Sequence, residues 1–356
     1  MSMMPSRRSI LWLAVAAACA ALATSWATTP QQFVVVGRSM LPELADGDLV
    51  EVSGWPAPWQ TPQRHERWLV LMPDGTPVIK RISGLPGEEL AIDDGDLVID
   101  GRRLLPSPEH LAQTAARVSG GRWSSSVRDG ISWQAYQHLV VDLSKANDDP
   151  HRLVPGPIYD SLEADPAERR RLEPVFAVGI TAVLDHRGGE HELPAEVFVR
   201  VGPQAARLTL PHPGRYAAIA GRLAERFVVA AWPLAPAAHG GTLPSSPIPW
   251  SPPASWSLIA DAKPLPTRTQ APPLALGMPA STAAEGQRVT LRSVTIWRAR
   301  HLLPAPNGSH RWSVPAGHVF LLGDHPAASR DSRHFGPVAI SRLRGPVHVP
   351  TIDGQR

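Results

Sequence analysis

Between Gln31 and Leu105 the chain is broken again and again by turn-forming clusters: Asp46-Gly47-Asp48, Pro73-Asp74-Gly75, Gly84-Leu85-Pro86-Gly87, Asp93-Asp94-Gly95-Asp96 and Asp100-Gly101. Glycine reaches positive φ at no steric cost, proline presets its own φ, and aspartate bonds its neighbouring backbone. Each cluster therefore halts regular structure. The stretches between them are Leu49–Val52, Trp68–Met72, Val78–Ile82, Glu89–Ile92 and Leu97–Ile99. They are too short for stable helices and rich in β-branched residues, so they read as strands. Short strands so closely spaced predict an antiparallel sheet curling into a small barrel.

The first of these strands is the run Val34-Val35-Val36, which stops at Gly37 and is followed by Arg38-Ser39-Met40-Leu41-Pro42. Pro42 bars the run from continuing as an interior strand. A serine at a strand end, before a forced bend, presents its hydroxyl and turns its backbone N–H outward. Nucleophilic catalysis with an oxyanion donor needs that geometry, although an ordinary turn serine has it too.

Upstream, Arg7 and Arg8 precede an uncharged run from Ile10 to Thr28. Those ~19 residues would span roughly 28 Å as a helix, close to the thickness of a bilayer core. The arginines orient such a span with its N-terminus in the cytoplasm and the rest of the chain outside. A cleavable leader is the rival reading, because Ser25-Trp26-Ala27 carries small residues where a cleavage site requires them. The chain has 356 residues, a net charge of +3 and a single cysteine, Cys19. Near-balanced charge without a basic stripe excludes nucleic acid as an implied partner. One cysteine excludes an internal disulfide or a thiolate metal cluster.

Residues 106–310 read differently. Patches of strand such as Leu139–Val141 and Val197–Val201 alternate with polar loops, and Ser161–Leu172 has the charge asymmetry of a short helix, acidic first and basic last. From Trp232 to Pro279 the composition turns to Pro, Ala and Ser without a period, which predicts a mobile or polyproline-like insert. Strand patterns return at Val289–Trp297, His318–Leu322 and Val347–Val349. The expected organisation is a cytoplasmic tip and anchor at 1–30, a β domain built from 31–105 and 311–356, and a large β-rich or irregular insertion at 106–310. His186 and His191, with Glu190 and Glu192, lack a regular metal-ligand spacing, so no metal is expected.

Two further stretches carry chemistry. Side chains alternate along a strand, so Lys80 shares a face with Val78 and Ile82. Apolar flanks desolvate the ammonium and lower its pKa, and a neutral amine can take a proton from a serine hydroxyl. The alternative is a lysine whose stem lies on the sheet while its head reaches water. Gly323-Asp324 opens a polar loop with Ser329, Asp331 and Arg333, closed by Gly336. It offers a hydroxyl to orient the amine and an ion pair to hold the loop.

Together these three stretches resemble the type I signal peptidase family of Ser/Lys serine proteases. Gly37-Arg38-Ser39-Met40 with Pro42 is similar to the nucleophile motif, Lys80-Arg81-Ile82 with Gly84-Leu85-Pro86-Gly87 to the lysine motif, and Gly323–Gly336 to the Gly-Asp…Ser-x-Asp-Ser-Arg signature. The resemblance implies Ser39 as nucleophile, Lys80 as general base and Ser329 as the residue orienting Lys80. Asp331 and Arg333 would form a supporting pair, and Asp324 would brace the loop. It further implies that Phe33, Val35, Met40 and Ile79 line shallow pockets for small residues before the cut. No cofactor is implied. The implied partners are exported preproteins and the lipid bilayer, with the catalytic part outside the inner membrane. The departures are His325 after Gly323-Asp324, Glu43 after Pro42, Glu66-Arg67 where a Gly-Asp pair is usual, and Gly37 where some members carry a second hydroxyl donor. Two other functions stay open: a specialised maturation protease for a conjugation or pilus subunit, and a catalytically silent envelope-binding protein on the same scaffold. Trp55, Trp59 and Trp68 are candidates for the bilayer interface.

Overall fold

A computed structural model of the chain describes residues 30–53, 61–142, 152–160, 172–187, 194–235, 248, 252–265, 270–280 and 289–350. The apolar run at 10–28, Trp55, Trp59 and nearly all of the expected helix at 161–172 lie outside these residues. Among the described residues no helix is long and apolar enough to cross a membrane.

The protein is mainly β and its sheets are antiparallel. One seven-stranded sheet runs in the order Gln31–Val34, Leu49–Val52, Leu343–His348, Arg67–Leu71, Pro77–Gly84, His318–Leu322, Val338–Ala339. Its two outer strands do not meet, so it is an open half-barrel. Alternation explains its two cores. Trp68, Val70, Ile82, Val319 and Leu321 pack together in one, and Val35, Met40, Val50, Val52, Leu69 and Val347 pack in another. From Val319 to Leu322 the strand His318–Leu322 is apolar without a break because its other face is covered as well. Phe320 and Leu322 pack against Leu90, Ile92 and Leu97 of a four-stranded sheet.

The strand runs read from the turn signals are present, each within a residue or so of its expected bounds in this part of the chain. The run at Val34-Val35-Val36 ends earlier than its composition predicts. Pairing stops at Val34, where the opposite strand begins with Leu49. Beyond it, the Val35 carbonyl accepts a turn bond from Gly47 N–H at 2.9 Å. Trp68 is not an interfacial side chain. It is almost wholly buried, and its indole N–H donates to Glu66 at 2.9 Å.

The segment between Ala116 and Arg298 is far more ordered than its loops suggest. Six strands (Leu258–Asp261, Arg226–Pro233, Gly214–Leu223, Val178–His186, Val289–Arg298, Ala116–Arg117) face a second sheet of five (Gln204–Leu210, Ala195–Val201, Leu274–Pro279, Ile131–Gln137, Arg122–Arg128). Val197, Val199, Leu208 and Leu276 of the second sheet meet Ile180, Ala182, Leu184 and Val229 of the first, which makes a sandwich. The Pro-rich stretch expected to be mobile thus contributes two strands. Leu274–Pro279 even lies at the centre of its sheet, because Leu274, Leu276 and Met278 fill the core. Average composition concealed a short apolar run between prolines. A helix at Pro108–Thr114, capped by the Ser107 hydroxyl accepting from His110 N–H at 3.1 Å, packs Leu111 on the outer face of the six-stranded sheet. His186 is buried at the end of its strand, with Nδ1 2.7 Å from the His212 carbonyl. His191, Glu190 and Glu192 lie outside the described residues.

Candidate active site

The serine turn is set by its backbone. Val35 N–H donates to the Asp48 carbonyl at 2.8 Å, and Gly37 N–H donates to Asp46 Oδ1 at 2.6 Å. Gly37 has φ +90°, a conformation that side chains rarely adopt. The Leu41–Pro42 bond is cis. Met40 and Leu44 are buried and pin the turn to the sheet, leaving Ser39 half-buried between them and the surface. The Ser39 carbonyl accepts from His325 N–H at 3.0 Å, whereas the Ser39 N–H makes no hydrogen bond to any described residue.

Lys80 lies in the strand Pro77–Gly84, directly across from Trp68. Its Nζ is 2.8 Å from Ser39 Oγ, and the side chain is only 4% exposed. Among the described residues no carboxylate forms an ion pair with it. Burial lowers the Lys80 pKa below the ordinary lysine range, and this prevails although Asp331 and Asp324 pull the other way.

The loop opened by Gly323 closes over this pair. A β-carbon at Gly323 would lie 2.2 Å from Ser329 Oγ and 2.6 Å from the Ser39 carbonyl oxygen, so only glycine fits between them. Asp331 accepts from Gly323 N–H at 3.0 Å and forms a two-pronged pair with Arg333, at 2.8 and 2.9 Å. Arg333 also donates to the Leu303 and Pro326 carbonyls, at 3.1 and 2.7 Å. Burial alone would raise the Asp331 carboxyl. The hydrogen bonds and charge of Arg333 outweigh it and bring the pKa below the usual range. Ser329 is buried beside this pair. Its Oγ has no hydrogen-bond partner of normal geometry among the described residues, Lys80 included, yet its hydroxyl is one of the groups holding Asp331 low. Phe33, Val35, Met40 and Ile79 all fall in one apolar cluster next to the serine turn.

The profile of the family described as signal peptidase, peptidase S26, matches residues 7–148 and 280–352, more than half of the chain. The chain belongs to this signal peptidase family. It is also similar to two proteins of Arabidopsis thaliana. With mitochondrial ATP-independent inner membrane protease subunit 1a it shares 59% identity over 32 residues, 9% of this chain and 19% of that one. With subunit 1b it shares 56% over 34 residues, 10% and 20% of the two chains. These matches span about a fifth of the relatives' length.

The S26 peptidase has an ion network around the Ser39–Lys80 pair that its sequence did not reveal. Arg81, next to Lys80, is fully buried and donates to Asp324 at 2.8 and 2.5 Å and to Glu43 at 2.6 Å. Glu43, one of the departures from the family motif, is therefore the second carboxylate partner of Arg81, and it also pairs with Arg67 at 2.9 Å. Burial raises the Glu43 pKa despite both arginines. Arg300 reaches Asp324 from the other side, at 3.1 Å. Gln113, in the helix Pro108–Thr114, accepts from Arg81 at 3.0 Å. A buried guanidinium must find such partners, but strand alternation marks only that Arg81 lies on the face opposite Lys80, not what meets it.

Behind Arg81 the rings of His65 and His110 stack with centroids 3.9 Å apart. Burial, reinforced by Arg300 and Arg81, pushes His65 down to about 3. Burial together with Arg81 and His65 lowers His110 as well. Both are neutral when folded and titrate near 6.5 when unfolded. The unfolded state therefore binds more protons once the pH falls below about 6.5, and stability declines from there toward about 3. The expected loss is on the order of 1 kcal/mol per pH unit for each imidazole. Urea unfolding at pH 7, 6 and 5 measures it. A His65→Gln, His110→Gln double variant should flatten the slope.

Proposed function

We propose that this peptidase is a membrane-anchored serine endopeptidase that removes signal peptides from exported preproteins. The observation that carries the reading is the desolvated, carboxylate-free Lys80 amine 2.8 Å from Ser39 Oγ. Lys80 takes the hydroxyl proton as Ser39 Oγ attacks the scissile carbonyl, and the Ser39 N–H stabilises the oxyanion. Gly37 N–H is already engaged by Asp46, so it adds no second donor as the site stands. Collapse of the tetrahedral intermediate breaks the C–N bond, and the departing amine takes its proton from Lys80. The amine, neutral again, activates the water that hydrolyses the acyl-enzyme. Asp331 and Arg333 hold the loop that carries Ser329 behind the lysine, and Asp324 ties its start to Arg81. Phe33, Val35, Met40 and Ile79 supply shallow apolar contacts for small residues ahead of the cut.

The uncharged run at 10–28 is the proposed anchor, with the N-terminus in the cytoplasm and the catalytic part, residues 31–105 and 311–356, outside. The printed names of the two relatives, mitochondrial inner membrane protease subunits, agree with a membrane location. Residues 106–310 form an insertion into the catalytic part. Its two-sheet body favours a second reading, a specialist that matures one exported partner. Incubating the detergent-solubilised protein with several unrelated preproteins separates the two: a generalist cuts all of them after Ala-x-Ala. A serine-directed acylating probe should label Ser39 stoichiometrically. Absence of both labelling and cleavage would sink the peptidase reading.

A further inference from the structure

We propose that the cleft between the insertion and the four-stranded sheet is a second binding site, which takes a short peptide segment bearing a carboxylate at Arg300. The cleft has a volume of about 860 Å³, within the ~300–1,000 Å³ typical of ligand sites. Leu105, Phe176, Ile259 and Leu265 give it an apolar wall that a peptide's side chains can cover.

Its charges decide the chemistry. Arg103 is spoken for by Asp93 and Asp96 at 2.6 and 3.1 Å, Arg226 by Asp261 at 2.8 Å, and Arg222 donates to the Lys263 carbonyl at 2.8 Å. Arg300 differs. Its side chain is 10% exposed, and only Nη1 is engaged, by Asp324 Oδ1 at 3.1 Å and the Gly323 carbonyl at 3.4 Å. Its Nε and Nη2 make no hydrogen bond to any described residue, and the Asp324 carboxylate it uses is already shared with Arg81. A nine-tenths buried guanidinium with two free donor groups lining a cleft calls for an anion of matching geometry, and a carboxylate offers two acceptor oxygens to that fork. Asp94 and Glu225, the latter 3.9 Å from Arg103, add negative charge at the cleft that disfavours a densely charged ligand and leaves room for a single carboxylate among apolar neighbours. Because Arg300 keeps Nη1 on Asp324, a peptide held there also steadies the Asp324–Arg81 pair beside Lys80.

The test uses full-length Ser39→Ala protein, so that binding is read apart from any cleavage and apart from the assignment of the dyad. The probe is a fluorescein-labelled hexapeptide of alanine and leucine with one central glutamate, compared with its glutamine twin by fluorescence anisotropy. Saturable binding of the glutamate peptide, at least ten-fold weaker for the twin, is expected. Arg300→Met should weaken it at least ten-fold. So should Ala262→Trp, which crowds the cleft wall without touching the Asp324 pair and whose folding is checked by its thermal midpoint. Equal binding of the two peptides, or binding indifferent to both substitutions, overturns the proposal. Displacement by millimolar acetate would show a site for any carboxylate and would overturn the assignment to a peptide.

Discussion

Replacing Lys80 with methionine is expected to lower turnover of a model preprotein at least ~10³-fold while the protein stays folded. The amine is the only base within hydrogen-bond reach of Ser39 Oγ among the described residues, and a positioned general base is worth ~10²–10⁴-fold. Methionine keeps the length and apolar stem of the side chain in a site that is already desolvated, so the thermal midpoint should hold or rise. Ser39→Ala should be equally silent, since the two groups act as a unit and their losses do not add. In the unsubstituted enzyme the rising limb of the pH–rate profile should fall below the ordinary lysine range, because burial lowers the Lys80 pKa. Single-turnover cleavage across pH measures both effects. Near-normal turnover by Lys80→Met would falsify the dyad.

The second large effect concerns stability. Asp324 is 1% exposed and holds both Arg81 and Arg300. Changing it to asparagine keeps the shape but removes the charge, leaving Arg81 with Glu43 and Arg300 with no carboxylate within ion-pair distance among the described residues. Stranding a buried charge in this way costs about 3–5 kcal/mol, against under ~1 kcal/mol for an exposed pair such as Arg226–Asp261. Urea unfolding of Asp324→Asn and Asp261→Asn should separate the two classes clearly. A cost below 1 kcal/mol at Asp324 would mean that Glu43 and water already satisfy Arg81.

Much of this was legible in the residues, and the exceptions have physical causes. Turn chemistry placed the strands around Ser39 and Lys80 because Gly, Pro and Asp act locally. It could not place the partners of Arg81: Glu43, the His65 carbonyl, Gln113 and Asp324 come from four separate segments, and only tertiary pairing joins them. Glu43 reads as a mere departure from the motif because the two arginines that it pairs with, Arg67 and Arg81, come from other strands. The strand at Leu274–Pro279 was hidden by the prolines around it. The helix at Pro108–Thr114 did carry a local signal, Ser107 as cap and Pro108 in the first turn, which went unread beside the nearby strands. The loop offered the Ser329 hydroxyl as the group that orients the amine, but which neighbour a hydroxyl meets is set by tertiary packing, and its Oγ has no hydrogen-bond partner of normal geometry among the described residues.

The order of strands in the seven-stranded sheet has a consequence for biogenesis. Leu343–His348 is wedged between Leu49–Val52 and Arg67–Leu71, so the two pieces flanking the nucleophile and the lysine cannot knit directly to each other. A ribosome that has made the first hundred residues has made Ser39 and Lys80 but not the strand that joins their two parts of the sheet. The seven-stranded sheet is therefore complete only once Leu343–His348 has docked, after the whole insertion has been synthesised.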